Sequence, residues 1–133
     1  MKKFNVIIVD DEPDAVATIE LIINEFCPEL TVLGSINQID DAWELIKKTS
    51  PDLVFLDIDM PRGSGFDLLE RFPIRKFDVI FITAFSKYTQ KMEEYGAFGC
   101  LLKPIDIDVL TELTDKLIEF RKSNPDKIFK LII

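Results

Sequence analysis

Short apolar runs alternate along the chain with longer segments in which apolar residues recur every three or four positions. A short apolar run bounded by polar or turn residues predicts a buried β-strand, whereas the three- and four-residue spacing predicts an amphipathic helix. The apolar runs are Phe4 to Val9, Leu30 to Leu33, Leu53 to Leu56, Val79 to Ile82 and Cys100 to Leu102. The pattern therefore predicts five buried strands that alternate with five helices.

The predicted helices have recognisable starts and stops. The first begins at Pro13, a residue suited to a first helical turn, and ends before Pro28. The second stops at Pro51 and the fourth at Gly96, because neither residue favours continuation of a helix. The apolar residues that define the five helices are Val16, Ile19, Ile22, Ile23 and Phe26; Ile39, Ala42, Trp43 and Ile46; Phe66 to Leu69; Tyr88, Met92 and Tyr95; and Ile107, Leu110, Leu113, Leu117 and Phe120.

Strands that are apolar on both faces and are joined by helices predict a parallel sheet with helices on both sides. Right-handed crossovers make this an α/β fold with a doubly wound, five-stranded parallel sheet. We expect the flavodoxin-like strand order 2-1-3-4-5, in which ligands bind at the carboxyl ends of strands 1 and 3, where the winding reverses.

The length of 133 residues favours one domain. We expect this domain to span residues 1–122, followed by a tail or linker over 123–133. The end of the tail, Lys127 to Ile133, is apolar and resembles a strand. It is expected to be the truncated start of an effector domain, an added edge strand or a dimer contact, and the sequence leaves these alternatives open.

Composition argues against several classes of function. The net charge of −8 and the isoelectric point near 4.5 argue against a nucleic-acid-binding surface. The apolar run after Met1-Lys2-Lys3 is too short for a signal peptide, and no run approaches the roughly 20 residues of a membrane span. Cys27 and Cys100 form neither a disulfide framework nor a zinc motif, so a cytoplasmic protein without membrane contact is expected.

Histidine is absent from the sequence. Its absence excludes a serine or cysteine triad with a histidine base, a histidine metal site and a phosphohistidine carrier. Any chemistry of this chain must therefore use carboxylates.

Polar residues with complementary chemistry follow four of the five predicted strands. Asp10 and Asp11 follow the first strand, and Asp57 and Asp59 follow the third. Carboxylates this close raise one another's pKa values unless a cation is present, and oxygen ligands with room for water and phosphate suit Mg²⁺. Thr83 follows the fourth strand and provides a hydroxyl donor, and Lys103 follows the fifth and provides an ammonium group. A phosphoryl oxygen would require both of these groups.

Four segments resemble the motifs of the receiver family of two-component signalling, across Phe4 to about Arg121. They are Val9-Asp10-Asp11-Glu12-Pro13, Leu56-Asp57-Ile58-Asp59-Met60-Pro61, Ile82-Thr83-Ala84 and Leu102-Lys103-Pro104. Two further segments are most similar to receivers that precede LytTR-type DNA-binding domains, namely Thr83-Ala84-Phe85 and Leu101-Leu102-Lys103-Pro104-Ile105-Asp106.

The resemblance implies a signalling switch with a slow self-dephosphorylating activity. Asp57 would accept a phosphoryl group from a phosphohistidine on a sensor histidine kinase or phosphotransfer protein. Asp11 and Asp57 would bind Mg²⁺ directly, Asp10 through water, and Asp59 through its backbone carbonyl. Lys103 and Thr83 would hold the phosphoryl oxygens, and the output surface would be the face of helix 4, strand 5 and helix 5, which also serves for homodimerisation in the family.

One position departs from the family pattern. The strand-5 aromatic residue that usually moves with the switch hydroxyl aligns with Cys100, whose small side chain cannot fill and vacate a pocket in the same way. Phe98 and Tyr95 are the candidates to replace it.

Other interpretations depend on smaller parts of the sequence. Asp57-Ile58-Asp59 is similar to the nucleophile motif of haloacid-dehalogenase-type phosphatases, but there the acidic pair follows the lysine, whereas Asp10 and Asp11 precede Asp57. Gly63-Ser64-Gly65 has the position of a dinucleotide-binding turn but lacks the third glycine, and a plain loop is expected. A function of a different class is also open, in which the chain is a protein-interaction module that is regulated by partner binding and not by phosphorylation.

Overall fold

The computed structural model describes residues 3–132, which form a five-stranded parallel sheet flanked by helices. The strands are β1 (Phe4–Val9), β2 (Leu30–Ile36), β3 (Leu53–Asp57), β4 (Asp78–Thr83) and β5 (Gly99–Leu102). The helices are α1 (Pro13–Phe26), α2 (Ile39–Thr49), α3 (Gly65–Glu70), α4 (Thr89–Glu94) and α5 (Ile107–Ser123). The spatial order of the strands is β2-β1-β3-β4-β5, which confirms the predicted doubly wound topology.

Two apolar cores lie on opposite faces of the sheet. Alternate residues of each central strand point to opposite faces, so Ile8 belongs to one core and Ile7 to the other. The first core packs α1 and α5 against the sheet, and the second packs α2, α3 and α4. Burial on both faces explains why the central strands are continuous apolar runs in the sequence.

Strand β2 is less buried than its apolar sequence predicts. Its side chains alternate between more and less exposed positions, and Leu33 is 41% exposed. The prediction of a fully buried strand was wrong here because β2 is an edge strand, whose side chains the helices cover incompletely. Phe26, predicted to belong to the apolar stripe of the first helix, is also 57% exposed, because it is the last residue of α1 and the chain leaves the helix there.

The segment between β3 and α3 is more ordered than the predicted plain loop. Asp59–Met60 pairs antiparallel with Gly63–Ser64 in a short hairpin. Ser64 then caps α3, because its hydroxyl accepts the Asp67 N–H at 3.3 Å and the Asp67 carboxylate accepts the Ser64 N–H at 2.8 Å. This capping box fixes the start of α3 directly after the acidic end of β3.

The end of the predicted tail folds back on the domain. Phe129–Lys130 pairs antiparallel with Ile74–Arg75, which lies between α3 and β4. This two-stranded ribbon is separate from the central sheet, so the tail is not an added edge strand of that sheet. Ile133, the last residue of the predicted strand-like segment, lies outside the described residues.

No helix within residues 3–132 combines the length and the apolar character needed to cross a membrane.

Candidate functional site

The carboxyl ends of β1 and β3 lie side by side at one edge of the sheet. Val9 pairs with Leu56 in the parallel register, so Asp10 and Asp57 leave the two strands next to each other. Both aspartates are only 2% exposed, whereas Asp11 is partly exposed. The sheet topology therefore buries two carboxylates beside a third that solvent can reach.

These three aspartates form a compact cluster of oxygen ligands. One carboxylate oxygen from each of Asp10, Asp11 and Asp57 lies within 4.8 Å of the other two. The Oδ2 atoms of Asp10 and Asp57 are buried and accept no hydrogen bond from the described residues. Buried carboxylate oxygens that accept no hydrogen bond, next to a more exposed carboxylate, fit a hard divalent cation that keeps part of its water shell.

Among the described residues, Lys103 is the positively charged residue that contacts this cluster. Its Nζ lies 3.2 Å from Asp10 Oδ2 and 3.5 Å from Asp57 Oδ2, and it also forms an ion pair with Glu12. Burial by itself lowers the pKa of Lys103, but the hydrogen bond to Glu12 and the attraction of Asp57 and Asp10 raise it overall. The ammonium group therefore stays charged.

Asp57 is the carboxylate whose ionisation is most perturbed. Burial and the negative charge of Asp10 raise its pKa to about 7, although Lys103 and the N–H of Asp59 act in the opposite direction. A buried carboxylate at this pKa has a strong need for additional positive charge.

Thr83 and Asp59 lie together beside the cluster rather than within it. Thr83 ends β4 and is fully buried, and its Oγ1 donates to the Asp59 carboxylate at 3.4 Å and accepts the Phe85 N–H at 3.1 Å. The Asp59 carboxylate is exposed and does not belong to the group of clustered carboxylates. The Asp59 side chain is therefore not one of the clustered carboxylates, and the ligand role of its backbone carbonyl stays a prediction.

All six residues predicted as site residues thus lie at, or just after, the carboxyl ends of β1, β3, β4 and β5. These residues are Asp10, Asp11, Asp57, Asp59, Thr83 and Lys103. The structure adds two neighbours that the sequence analysis did not predict. Glu12 pairs with Lys103, and the Tyr88 hydroxyl donates to Asp59 at 3.1 Å. In the sequence, Tyr88 was recognisable only as an aromatic residue at helical spacing. Its contact with Asp59, 29 positions earlier, depends on tertiary structure.

The aromatic residues near the site bear on the unusual Cys100. Cys100 is half-buried against the core that contains Tyr95, whose ring centroid lies 4.9 Å from that of Phe66. Phe98 packs on the opposite face of the sheet, with its ring centroid 5.8 Å from that of Phe120. Of the two candidates to replace the missing aromatic residue, Tyr95 lies on the same face as Cys100.

Gly65 holds the end of β3 in close contact with α3. A Cβ atom at this position would lie 2.7 Å from the backbone oxygen of Asp57 and 2.8 Å from Leu56 Cγ. We expect Gly65→Ala to lower the free energy of unfolding by about 2 kcal/mol, because backbone next to the site must move. Denaturant unfolding measures this. Gly34→Ala is the matched control, since a Cβ there meets only Leu45 Cδ2 at 3.5 Å, and an equal loss in both variants would contradict the argument.

Comparison with known proteins identifies the family. The family model of the response regulator receiver domain matches residues 6–115 of the chain. The chain belongs to this family. Receiver domains generally bind Mg²⁺ in an acidic pocket, and they act with histidine kinases or phosphotransfer proteins. In this receiver domain, Asp10, Asp11 and Asp57 form a cluster of acidic side chains.

Curated relatives agree with this assignment. The receiver domain is 37% identical over 102 residues to the transcriptional regulatory protein BtsR of Escherichia coli K12, covering 76% of this chain and 42% of BtsR. It is 32% identical over 114 residues to the sensory transduction protein LytT of Enterococcus faecalis, covering 84% of this chain and 47% of LytT. The chain thus spans about half the length of these curated relatives.

Solved structures agree as well. The response regulatory domain of protein mrkE from Klebsiella pneumoniae superposes with a TM-score of 0.82 at 27% identity, covering 90% of this chain and 98% of that chain. The predicted receiver family and the predicted flavodoxin-like fold are therefore both confirmed.

Proposed function

We propose that this receiver domain is a phosphorylation-operated switch whose phosphoryl group is accepted by Asp57. The observation that supports this most directly is the buried Asp57 carboxylate, clustered with Asp10 and Asp11 within 4.8 Å and lying 3.5 Å from the Lys103 ammonium. Three carboxylates cluster here around the Lys103 ammonium, and Asp57 Oδ2 accepts no hydrogen bond from the described residues. The cluster therefore favours additional positive charge, which a structural ion pair of one carboxylate and one ammonium would not require.

The phosphoryl donor is a phosphohistidine on a sensor histidine kinase or phosphotransfer protein. The partner must supply this histidine, because the chain has none. An Asp57 carboxylate oxygen attacks phosphorus, the phosphorus–nitrogen bond breaks, and the bonding electrons leave with the imidazole. Lys103 and Thr83 donate to the transferring oxygens and keep them in position. Positioning and charge stabilisation carry most of the catalysis in such a transfer.

Mg²⁺ is the cofactor that fits the donor set. Asp11 and Asp57 would hold it directly, Asp10 through water, and Asp59 through its backbone carbonyl. When bound, the ion neutralises negative charge on the transferring group. The same site then permits slow hydrolysis of the aspartyl phosphate by water, which resets the switch.

The output is a change in the surface formed by α4, β5 and α5, which is also the proposed homodimer face. Residues 1–122 form the switch, and residues 123–133 connect it to an effector segment of LytTR type in a longer transcription regulator. The curated relatives are about twice as long, which leaves room for such a segment. DNA contact belongs to that segment, since the present chain carries a net charge of −8.

The test is intact-mass spectrometry after incubation with acetyl phosphate, with and without Mg²⁺. We expect one phosphoryl adduct on the wild-type chain that requires Mg²⁺, and none on Asp57→Asn. Asp59→Asn is the matched control, because it removes a neighbouring exposed carboxylate and should still form the adduct. An adduct on Asp57→Asn would contradict the proposal, and no adduct on the wild type would favour an interaction module that works without phosphate.

A further inference from the structure

The C-terminal segment, residues 127–132, is held against the domain by specific contacts. Phe129 pairs with Arg75 in the two-stranded ribbon, and the Leu131 N–H donates to the Pro73 carbonyl at 2.7 Å. Leu131 also packs against the core that contains α3 and α4. The segment is therefore docked by backbone and side-chain contacts.

Arg75 is the anchor of this docked segment. It is only 4% exposed, and its Nη2 donates to the carbonyl of Tyr95 at 2.8 Å and to that of Gly96 at 3.3 Å. The Phe129 ring covers the same guanidinium, with its centroid 4.2 Å from the Arg75 Cζ. Arg75 thus connects the segment to the chain that directly follows α4.

Gly96 makes this close approach possible. A Cβ at Gly96 would lie 2.0 Å from Phe129 Cε2, so only hydrogen fits beneath the ring. Gly96 also has a φ of 73°, which terminates α4 in the left-handed region. The Phe129 ring therefore packs directly on Gly96, the glycine that stops α4.

A continuous series of contacts leads from this docking point to the candidate site. The ring of Tyr95 packs on Phe66 with centroids 4.9 Å apart, and Phe66 contacts Tyr88 with centroids 6.0 Å apart. The Tyr88 hydroxyl then donates to Asp59 at 3.1 Å, and the Asp59 N–H donates to Asp57 Oδ1 at 3.3 Å. These aromatic residues lie on the face of the sheet where Cys100 replaces the usual aromatic residue.

We propose that residues 127–132 form an intramolecular latch on the end of α4, and that phosphorylation of Asp57 releases it. This inference rests on the proposed function. The phosphoryl group carries about two negative charges in place of the one on the ionised Asp57 carboxylate, and its three acceptor oxygens compete with Asp59 for the hydroxyl donors of Thr83 and Tyr88. When Tyr88 leaves Asp59, the packing of Phe66 on Tyr95 changes, and the carbonyls of Tyr95 and Gly96 no longer align with Arg75.

Coupling of this kind acts in both directions. If phosphorylation weakens the latch, then loss of the latch must favour phosphorylation by the same factor at equilibrium. Phe129→Ala removes the ring over Arg75, and Ile132→Ala is the matched control, since Ile132 lies in the same segment and is 92% exposed. Phe129 is only half-buried, so the variant should keep the fold, which a thermal melt checks.

Hydrogen–deuterium exchange on the full chain tests the latch, with adduct formation followed by intact mass in the same samples. Upon incubation with acetyl phosphate and Mg²⁺, we expect the Leu131 amide region of the wild type to exchange roughly 10-fold faster. Phe129→Ala should exchange fast without phosphate and, when acetyl phosphate is limiting, reach a higher phosphorylated fraction, while Ile132→Ala behaves as the wild type. A full adduct with unchanged exchange over residues 127–132 would overturn the latch alone, and absence of the adduct would overturn the latch together with the proposed function.

Discussion

Replacing Lys103 by methionine should slow phosphorylation of Asp57 by acetyl phosphate about 100-fold, without loss of Mg²⁺ binding. The Lys103 ammonium lies 3.2 Å from Asp10 Oδ2 and 3.5 Å from Asp57 Oδ2, at the place where charge develops on the transferring group. Methionine keeps most of the side-chain length and removes the charge. Cation binding is retained, because removal of a nearby positive charge cannot weaken the attraction of carboxylates for a metal ion.

A time course of adduct formation by intact mass gives the rate, and isothermal titration calorimetry gives the Mg²⁺ affinity. Glu12→Gln is the control, because Glu12 shares the Lys103 ammonium from an exposed position. This variant keeps the lysine and removes a competitor for it, so its rate should equal or exceed that of the wild type. Lys103→Met at the wild-type rate would remove Lys103 from the proposed mechanism.

The fold was predictable from the sequence because its strongest signals are local. Central strands buried on both faces are continuous apolar runs, and each predicted run lies within an observed strand. Strand order followed from the alternation of strands and helices, for which few right-handed topologies exist. The exposure of Leu33 in β2 was not predictable, since an edge strand and a central strand have similar sequences when both are apolar.

The tail shows the limit of the local pattern. Its apolar character predicted a strand, and Phe129–Lys130 does form one. Its partner, Ile74–Arg75, gave no strand signal, because a two-residue strand has too few positions for a periodic pattern. These two segments are far apart in the chain, and their pairing depends on the folded core around Arg75.

The candidate site was predictable to the extent that strand ends determine it. Asp10, Asp57, Thr83 and Lys103 end or follow parallel strands, and the sheet brings them to one edge. The contact of Tyr88 with the site was not predictable, since its hydroxyl reaches Asp59 from the short helical turn before α4. Its contact depends on how that turn is placed above the sheet, which no spacing in the sequence specifies.

In the metal-free protein, Asp57→Asn should increase the free energy of unfolding by about 2 kcal/mol at pH 7.5. Burial and Asp10 raise the Asp57 pKa from its usual 3.8 to about 7, so the folded chain binds this proton more tightly than the unfolded chain does. The wild type therefore loses stability as the pH rises from about 4 to about 7. A shift of this size corresponds to about 4 kcal/mol, and the lost attraction between Asp57 and Lys103 reduces the net gain of the asparagine variant.

Urea unfolding at pH 5 and pH 7.5 measures this difference, with EDTA to remove metal. The advantage of Asp57→Asn should be smaller at pH 5, because most folded wild-type molecules already carry the proton there. Mg²⁺ should stabilise the wild type more than the variant, since it supplies the positive charge that the ionised carboxylate lacks. Asp59→Asn, which changes an exposed carboxylate, should alter stability by less than about 0.5 kcal/mol. The opposite outcome is a metal-free Asp57→Asn chain that is less stable than the wild type at pH 7.5. It would show that Lys103 fully compensates the buried charge of Asp57. The site would then have no electrostatic need for a cation.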